Sequence, residues 1–154
     1  MIEARLHELL KSREFISVAT CDLKGRPNAA PKFLLKIEAG YIYLIDYIIG
    51  KTWENLKINP RASLSFIDTD TLMGYQINAS AEIIEKGPEY NKIVHELLQK
   101  QIYLSTTRII EGVTKGKRHS GFEVGIRDKF VVLKLKVEET LELGTSGIIK
   151  RNKV

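Results

Sequence analysis

Lys51 and Thr52 stand side by side behind Gly50, between the apolar run Tyr41–Asp46 and a helical stretch, Thr52–Ile58. Where a helix opens, its first backbone N–H groups have no partner inside the helix, and the helix dipole is positive there. A cation, a hydroxyl and free donors then converge on one point, which suits a phosphate. Gly50-Lys51-Thr52 also has the form of a P-loop ending. That motif needs a glycine five positions before Gly50, and Ile45 stands there, so no glycine-rich cradle for a triphosphate exists. What remains is a smaller anion site.

Each charge-assisted hydrogen bond to a phosphate contributes about 1.5–3 kcal/mol net. Two or three anchor a monophosphate, and tighter binding requires an apolar, stackable body on the ligand. Leu44, Ile45, Tyr47, Ile48 and Ile49 could form the surface for it. The same three residues also read as an ordinary capped helix terminus. Asp46 is the carboxylate nearest the turn, and it reads equally as the polar residue that ends a strand.

The elements that must hold this turn follow from hydrophobic period. Residues 2–13 repeat Ile2, Leu6, Leu9 and Leu10 at helical spacing. Phe15–Cys21 is a short β-branched run, bounded by a turn through Gly25-Arg26-Pro27. Asn28–Ile37 returns as a strand in which Pro31, lacking a donor, belongs at an edge, bulge or bend. Strands follow over 41–46, 62–68 and 75–85, with Gly87-Pro88 opening a second long helix striped by Tyr90, Ile93, Val94, Leu97 and Leu98. Residues 105–120 are polar and poorly periodic, 121–143 read as a hairpin around Asp128, and the tail from Gly144 shows no packing signal. Mostly sequential strands joined by tight turns predict a mainly β, antiparallel split barrel of six to seven strands with flanking helices. One domain over residues 1–154 is expected.

Composition narrows the function classes. Net charge is +5, from 24 Lys and Arg against 19 Asp and Glu spread along the chain, short of the dense basic face of a nucleic-acid binder. No nucleic-acid partner is therefore expected. Cys21 is the only cysteine, and His7, His95 and His119 lack metal-ligand spacing, so no metal site is expected. The charged N-terminal stretch is unlike a secretory signal, and no apolar run approaches the roughly 20 residues that span a bilayer. A reducing cytoplasmic location without membrane contact is the expectation. Lys115–His119 reads as a second anion site or a solvated loop, Trp53 as a ligand edge or core, and Tyr47 as a ligand shield or dimer contact. Cys21 reads as a small packed side chain and His95 as exposed.

The order ISVATCDLKGRPNAAP, KFLLK, YIYLID…GKTWENLKINPRASLSF and YQINASAEIIEKGPEY resembles the pyridoxamine-phosphate-oxidase-like FMN-binding split barrels over about residues 5–95. The resemblance implies FMN as cofactor. It implies that Lys32, Phe33 and Leu34 lie in the strand lining the isoalloxazine, with Leu44, Ile45 and Asp46 on its other side. It likewise implies that Gly50, Lys51 and Thr52 form the phosphate turn, supported by Asn55. Members are usually homodimers with FMN near the interface. The C-terminal third carries neither the Arg-x-His pair nor the Arg-Leu-x-Pro ending of the true oxidases, so vitamin-B6 oxidation is not carried over. The expected activity is an FMN-dependent oxidoreductase with a nicotinamide or protein electron donor, and the alternative is a non-catalytic electron-transfer or sensor flavoprotein. Lys32 or Lys36 is expected to place positive charge at the flavin edge, and no side chain stands out as a catalytic acid or base.

Overall fold

The computed structural model describes residues 3–116, 129–147 and 149–154. They fall into two compact units, Met1–Ile84 with Phe130–Val154, and Glu85–Lys129.

The first unit is mainly β. Its elements are α1 (Ala4–Lys11), β1 (Phe15–Cys21), β2 (Pro27–Glu38), β3 (Tyr41–Asp46), α2 (Lys51–Ile58), β4 (Arg61–Asp68), β5 (Met73–Ile84), β6 (Val131–Leu143) and β7 (Ile149–Lys153). The strands run in the order β3-β2-β1-β4-β5-β6-β7, and β3 also pairs with β6. That extra pairing closes six antiparallel strands into a barrel, with β7 added beyond β6. β6 is long enough to serve both edges: Val131–Lys136 faces β3, and Glu139–Leu143 faces β7. Glu138 is the residue left out where β6 shifts register against β5, which bends the strand between its two partners.

Alternation puts Ile16, Val18, Leu44, Leu64, Ile77, Leu133 and Leu135 inside, each 2% exposed or less. In β2 alternation fails, and Lys32, Phe33, Leu34 and Leu35 are buried in succession. Leu34 faces Leu44 while Lys36 faces Tyr43, so Leu35 is an extra residue in the ladder. Pro31 lies where β2 pairs with β1 but not with β3, so its missing donor breaks no β2–β3 bond.

The β1–β2 turn is built on Asp22. Its carboxylate accepts the Lys24 and Arg26 N–H groups at 2.9 and 3.0 Å and the Arg26 Nε at 2.6 Å. The Arg26 N–H, the Arg26 side chain and the Lys24 N–H hold this carboxyl below its ordinary 3.8. A depressed folded value contributes stability above 3.8 that is lost as pH falls through the lower value. Asp22→Asn is therefore expected to lower the melting temperature at neutral pH. The gap to the parent should close as melts are repeated well below pH 3.8.

Two parts of the chain differ from expectation. The polar stretch after residue 105 continues the second unit's helix, α3 (Pro88–Lys115), which ends at a left-handed Gly116 with φ 63°. Thr106, Thr107 and Thr114 donate their hydroxyls to the carbonyls four residues back, so residues that favour turns are satisfied within the helix. Of the expected stripe, Ile93 and Leu97 are buried, while Leu98 is exposed. The tail, which lacked a packing signal, forms β7. It is held by its ladder with β6 and by two ion pairs: Arg151 meets Glu139 at 3.3 Å, and Lys150 meets Glu3 at 2.8 Å. The first arm of the expected hairpin, with Asp128, lies outside the described residues.

Candidate functional site

The β2–β3 ladder ends at the Phe33–Ile45 pair. Beyond it β2 runs back towards Pro27, whereas the chain after Asp46 turns through Tyr47–Gly50 into α2. A cavity of about 400 Å³ opens at this parting, within the usual range for small-molecule sites. Lys32, Phe33, Ile45, Asp46, Gly50, Lys51 and Thr52 line it, all of them expected site residues. Phe15, Asn28, Ala30, Pro31, Tyr47 and Ile48 complete the wall. Leu34 and Leu44 face each other in the barrel core instead, and Asn55 is fully buried beneath α2.

Three amides fix α2 at this place. Asn28 Nδ2 donates to Thr52 Oγ1 at 3.1 Å, Asn55 Nδ2 to Thr20 Oγ1 at 3.1 Å, and Asn59 Nδ2 to the Cys21 carbonyl at 3.2 Å. Asn55 and Asn59 are one helical turn apart, so both reach the end of β1. The helix opens behind Gly50, which has no side chain to cap the first N–H groups. Lys51 at that opening is half exposed and paired with Glu54 at 3.0 Å. Asn28 was not among the expected site residues. Only the β1–β2 register, which places it opposite buried Thr20, marks it out.

Part of the cavity wall is an ion pair. Lys32 Nζ lies 2.6 Å from Asp46 Oδ1, and the two side chains are only 6% and 1% exposed. Oδ1 also accepts the Ile48 N–H at 3.2 Å. Asp46 Oδ2 is buried with no hydrogen-bond partner among the described residues, as is Asn55 Oδ1. An unmet buried carboxylate oxygen costs free energy, of the order of 1–3 kcal/mol or more for a charged group. Asp46 lines the cavity as a residue, while its Oδ2 is sealed from solvent. The Lys32 charge is thus matched by Asp46 rather than standing alone at the site.

The remaining candidates separate. Tyr47 lies in the cavity wall, its ring 6.3 Å from Phe33 and 6.2 Å from Phe130. Trp53 packs partly buried against the core with Lys57 over its ring. Cys21 accepts from Asn59 and is partly buried. Lys115 pairs with Glu111, and 117–119 lie outside the described residues. No grouping of three or more His, Cys, Asp or Glu able to hold a metal occurs among the described residues. Larger cavities of about 600 and 780 Å³ contain none of the expected site residues.

The family model for pyridoxamine 5'-phosphate oxidase matches residues 2–144, and the chain belongs to that family. Two curated relatives match over shorter segments. The uncharacterized protein MJ0282 of Methanocaldococcus jannaschii is 33% identical over 95 residues, 58% of this chain and 62% of that one. The heme oxygenase HutZ of Vibrio cholerae is 31% identical over 70 residues, 46% of this chain and 39% of that one. The match thus spans less than two thirds of either relative. Among solved structures, HupZ of Group A Streptococcus is 23% identical with a TM-score of 0.64, over 94% of this chain and 96% of that one. A pyridoxamine 5'-phosphate oxidase-related, FMN-binding protein from Nostoc punctiforme is 14% identical with a TM-score of 0.56, over 94% and 90%. At these identities the structural likeness carries the fold alone.

Proposed function

We propose that this chain is an FMN-binding flavoprotein of the split-barrel family, acting as an FMN-dependent oxidoreductase. The observation that carries the reading is the cavity that joins the opening of α2 to the buried Lys32–Asp46 pair. The N–H groups behind Gly50, with Lys51 and Thr52, would hold the phosphate. Phe33, Ile45 and Tyr47 offer apolar surface for a flat ring. When bound, FMN supplies the hydride and single-electron chemistry, and the protein supplies position and electrostatics. Lys32 and Asp46 hold a matched charge at the wall, and Asn28 and Asn55 keep α2 in register. The reading includes a homodimer with FMN near its interface, a nicotinamide or protein electron donor, and a cytoplasmic location. It includes no nucleic-acid or membrane partner, and no helix among the described residues is long and apolar enough to cross a membrane. A protein that binds FMN but oxidises no nicotinamide with any acceptor would instead be an electron carrier or sensor.

A heme-binding reading is favoured by the 31% identity to HutZ. Against it, neither histidine nor cysteine lines the cavity at the opening of α2 among the described residues. The visible spectrum of the purified protein, titrated with FMN and separately with hemin, decides between them. Quenched flavin fluorescence with bound yellow colour is the expected outcome, and a Soret band with no flavin response would overturn it. Lys51→Ala is expected to weaken FMN binding by about 10- to 150-fold, the equivalent of ~1.5–3 kcal/mol for one charge-assisted bond. Unchanged affinity in the fluorescence titration would move the phosphate elsewhere.

A further inference from the structure

We infer that the cavity between α1, the β2–β3 hairpin and β6 is a second binding site, which takes a small molecule with an apolar body and one carboxylate. Its volume is about 780 Å³, within the usual range for small-molecule sites, and it shares no lining residue with the cavity at the opening of α2. Ala4 and His7, nearly one helical turn apart on α1, form one wall. The hairpin and β6 form the other, and they are fastened together where the Val137 N–H donates to the Gly40 carbonyl at 3.2 Å. A Cβ at Gly40 would meet nothing within 4 Å, so the tight turn leaves the cavity open beside it.

Lys136 sets the charge of this site. It shares the outer face of the sheet with Lys36 and Lys134, and those two are matched: Lys36 pairs with Glu38 at 2.9 Å and Lys134 with Glu82 at 4.0 Å. Lys136 makes no ion pair among the described residues, Val154 in the same cavity wall included. Its cross-strand neighbours, Tyr41 and Ser80, are uncharged. No Asp or Glu side chain lines the cavity among the described residues, and Glu8, beside His7, is already held by Lys11 at 3.4 Å. The cavity therefore offers a cation with no counter-charge of its own, and its complement is an anion. One lysine suits one carboxylate. The aliphatic side chains of Ala4, Ile37 and Val137 supply the surface that an apolar body would cover.

The test pairs two ligands with two substitutions at an exposed position. Octanoate and 1-octanol share a chain and differ in charge, and both are titrated by calorimetry against the parent, Lys136→Met and Lys136→Arg. Octanoate is expected to bind the parent saturably, one molecule per chain, and to shift the backbone amide resonances of Gly40 and Val137. Lys136→Met is expected to weaken octanoate by about 5-fold, the upper range for a charge pair at an exposed lysine. Lys136→Arg should retain the octanoate affinity, and octanol should bind all three proteins alike. No saturable octanoate binding by the parent overturns the inference. So does a Lys136→Met effect that is absent or equal for the two ligands, or resonance shifts confined to the residues around Lys51. FMN affinity is expected to be the same in all three proteins, so the flavin reading stands or falls by its own titration.

Discussion

Asp46→Ala is expected to destabilise the protein by about 3–5 kcal/mol, the usual cost of leaving one partner of a buried ion pair alone. Lys32 is 5% exposed, so its ammonium reaches little water once the carboxylate is gone. The loss is a large part of the 5–15 kcal/mol that an ordinary domain has in total. Lys32→Met should cost a similar amount, because Asp46 would then keep only the Ile48 N–H. The double replacement Lys32→Met/Asp46→Leu is expected to regain most of that stability. It removes the buried charges together, which is often neutral or stabilising. Urea unfolding of the four proteins closes the cycle. If each single variant unfolds within about 1 kcal/mol of the parent, the pair is water-accessible in solution and the site reading built on it falls. Saturating FMN should narrow the deficit of neither single variant fully, since each lacks one member of the binding wall.

The pair also marks how far the sequence reached. Lys32 precedes three apolar residues and Asp46 ends an apolar strand, and both were placed near the ligand by resemblance. That they meet each other depends on a 14-residue closure through a bulge at Leu35, which no periodicity displays. The barrel strands were legible because alternation survives in β1, β4, β5 and β6, where one face is core. α2 was legible from its opening at Lys51 and its Asn59-Pro60 stop. Its anchoring was not, because side-chain amides that bond across strands carry no period. β7 escaped for a related reason: it is an edge strand tied by Arg151–Glu139 and Lys150–Glu3, whose partners are far away in the chain. Leu34 and Leu44 show the opposite limit. Resemblance grouped them with the site as members of the right strands, but the ladder pairs them with each other and sends both to the core. A strand can line a ligand with its backbone while its side chains serve packing.

Leu133→Ala is expected to cost about 2–5 kcal/mol, the range for a fully buried leucine whose site cannot collapse. Leu133 is 0% exposed in the first half of β6, facing Leu44 of β3 on one side and Ile83 of β5 on the other. That half of β6 is the seam that closes the barrel, so the cavity left behind would be bounded by paired strands on both sides. Strands locked in a ladder relax less than a loop would, which favours the upper part of the range. The position also separates packing from binding. Leu133 lies behind Leu44, two residues before Asp46, and does not line the site cavity. The variant should therefore unfold at lower urea, yet bind FMN with affinity within a few-fold of the parent under conditions where it stays folded. A loss of FMN affinity comparable to that of Lys51→Ala would mean that β3 shifts when the seam is emptied. In that case the Lys32–Asp46 wall is held by core packing as well as by its own ion pair.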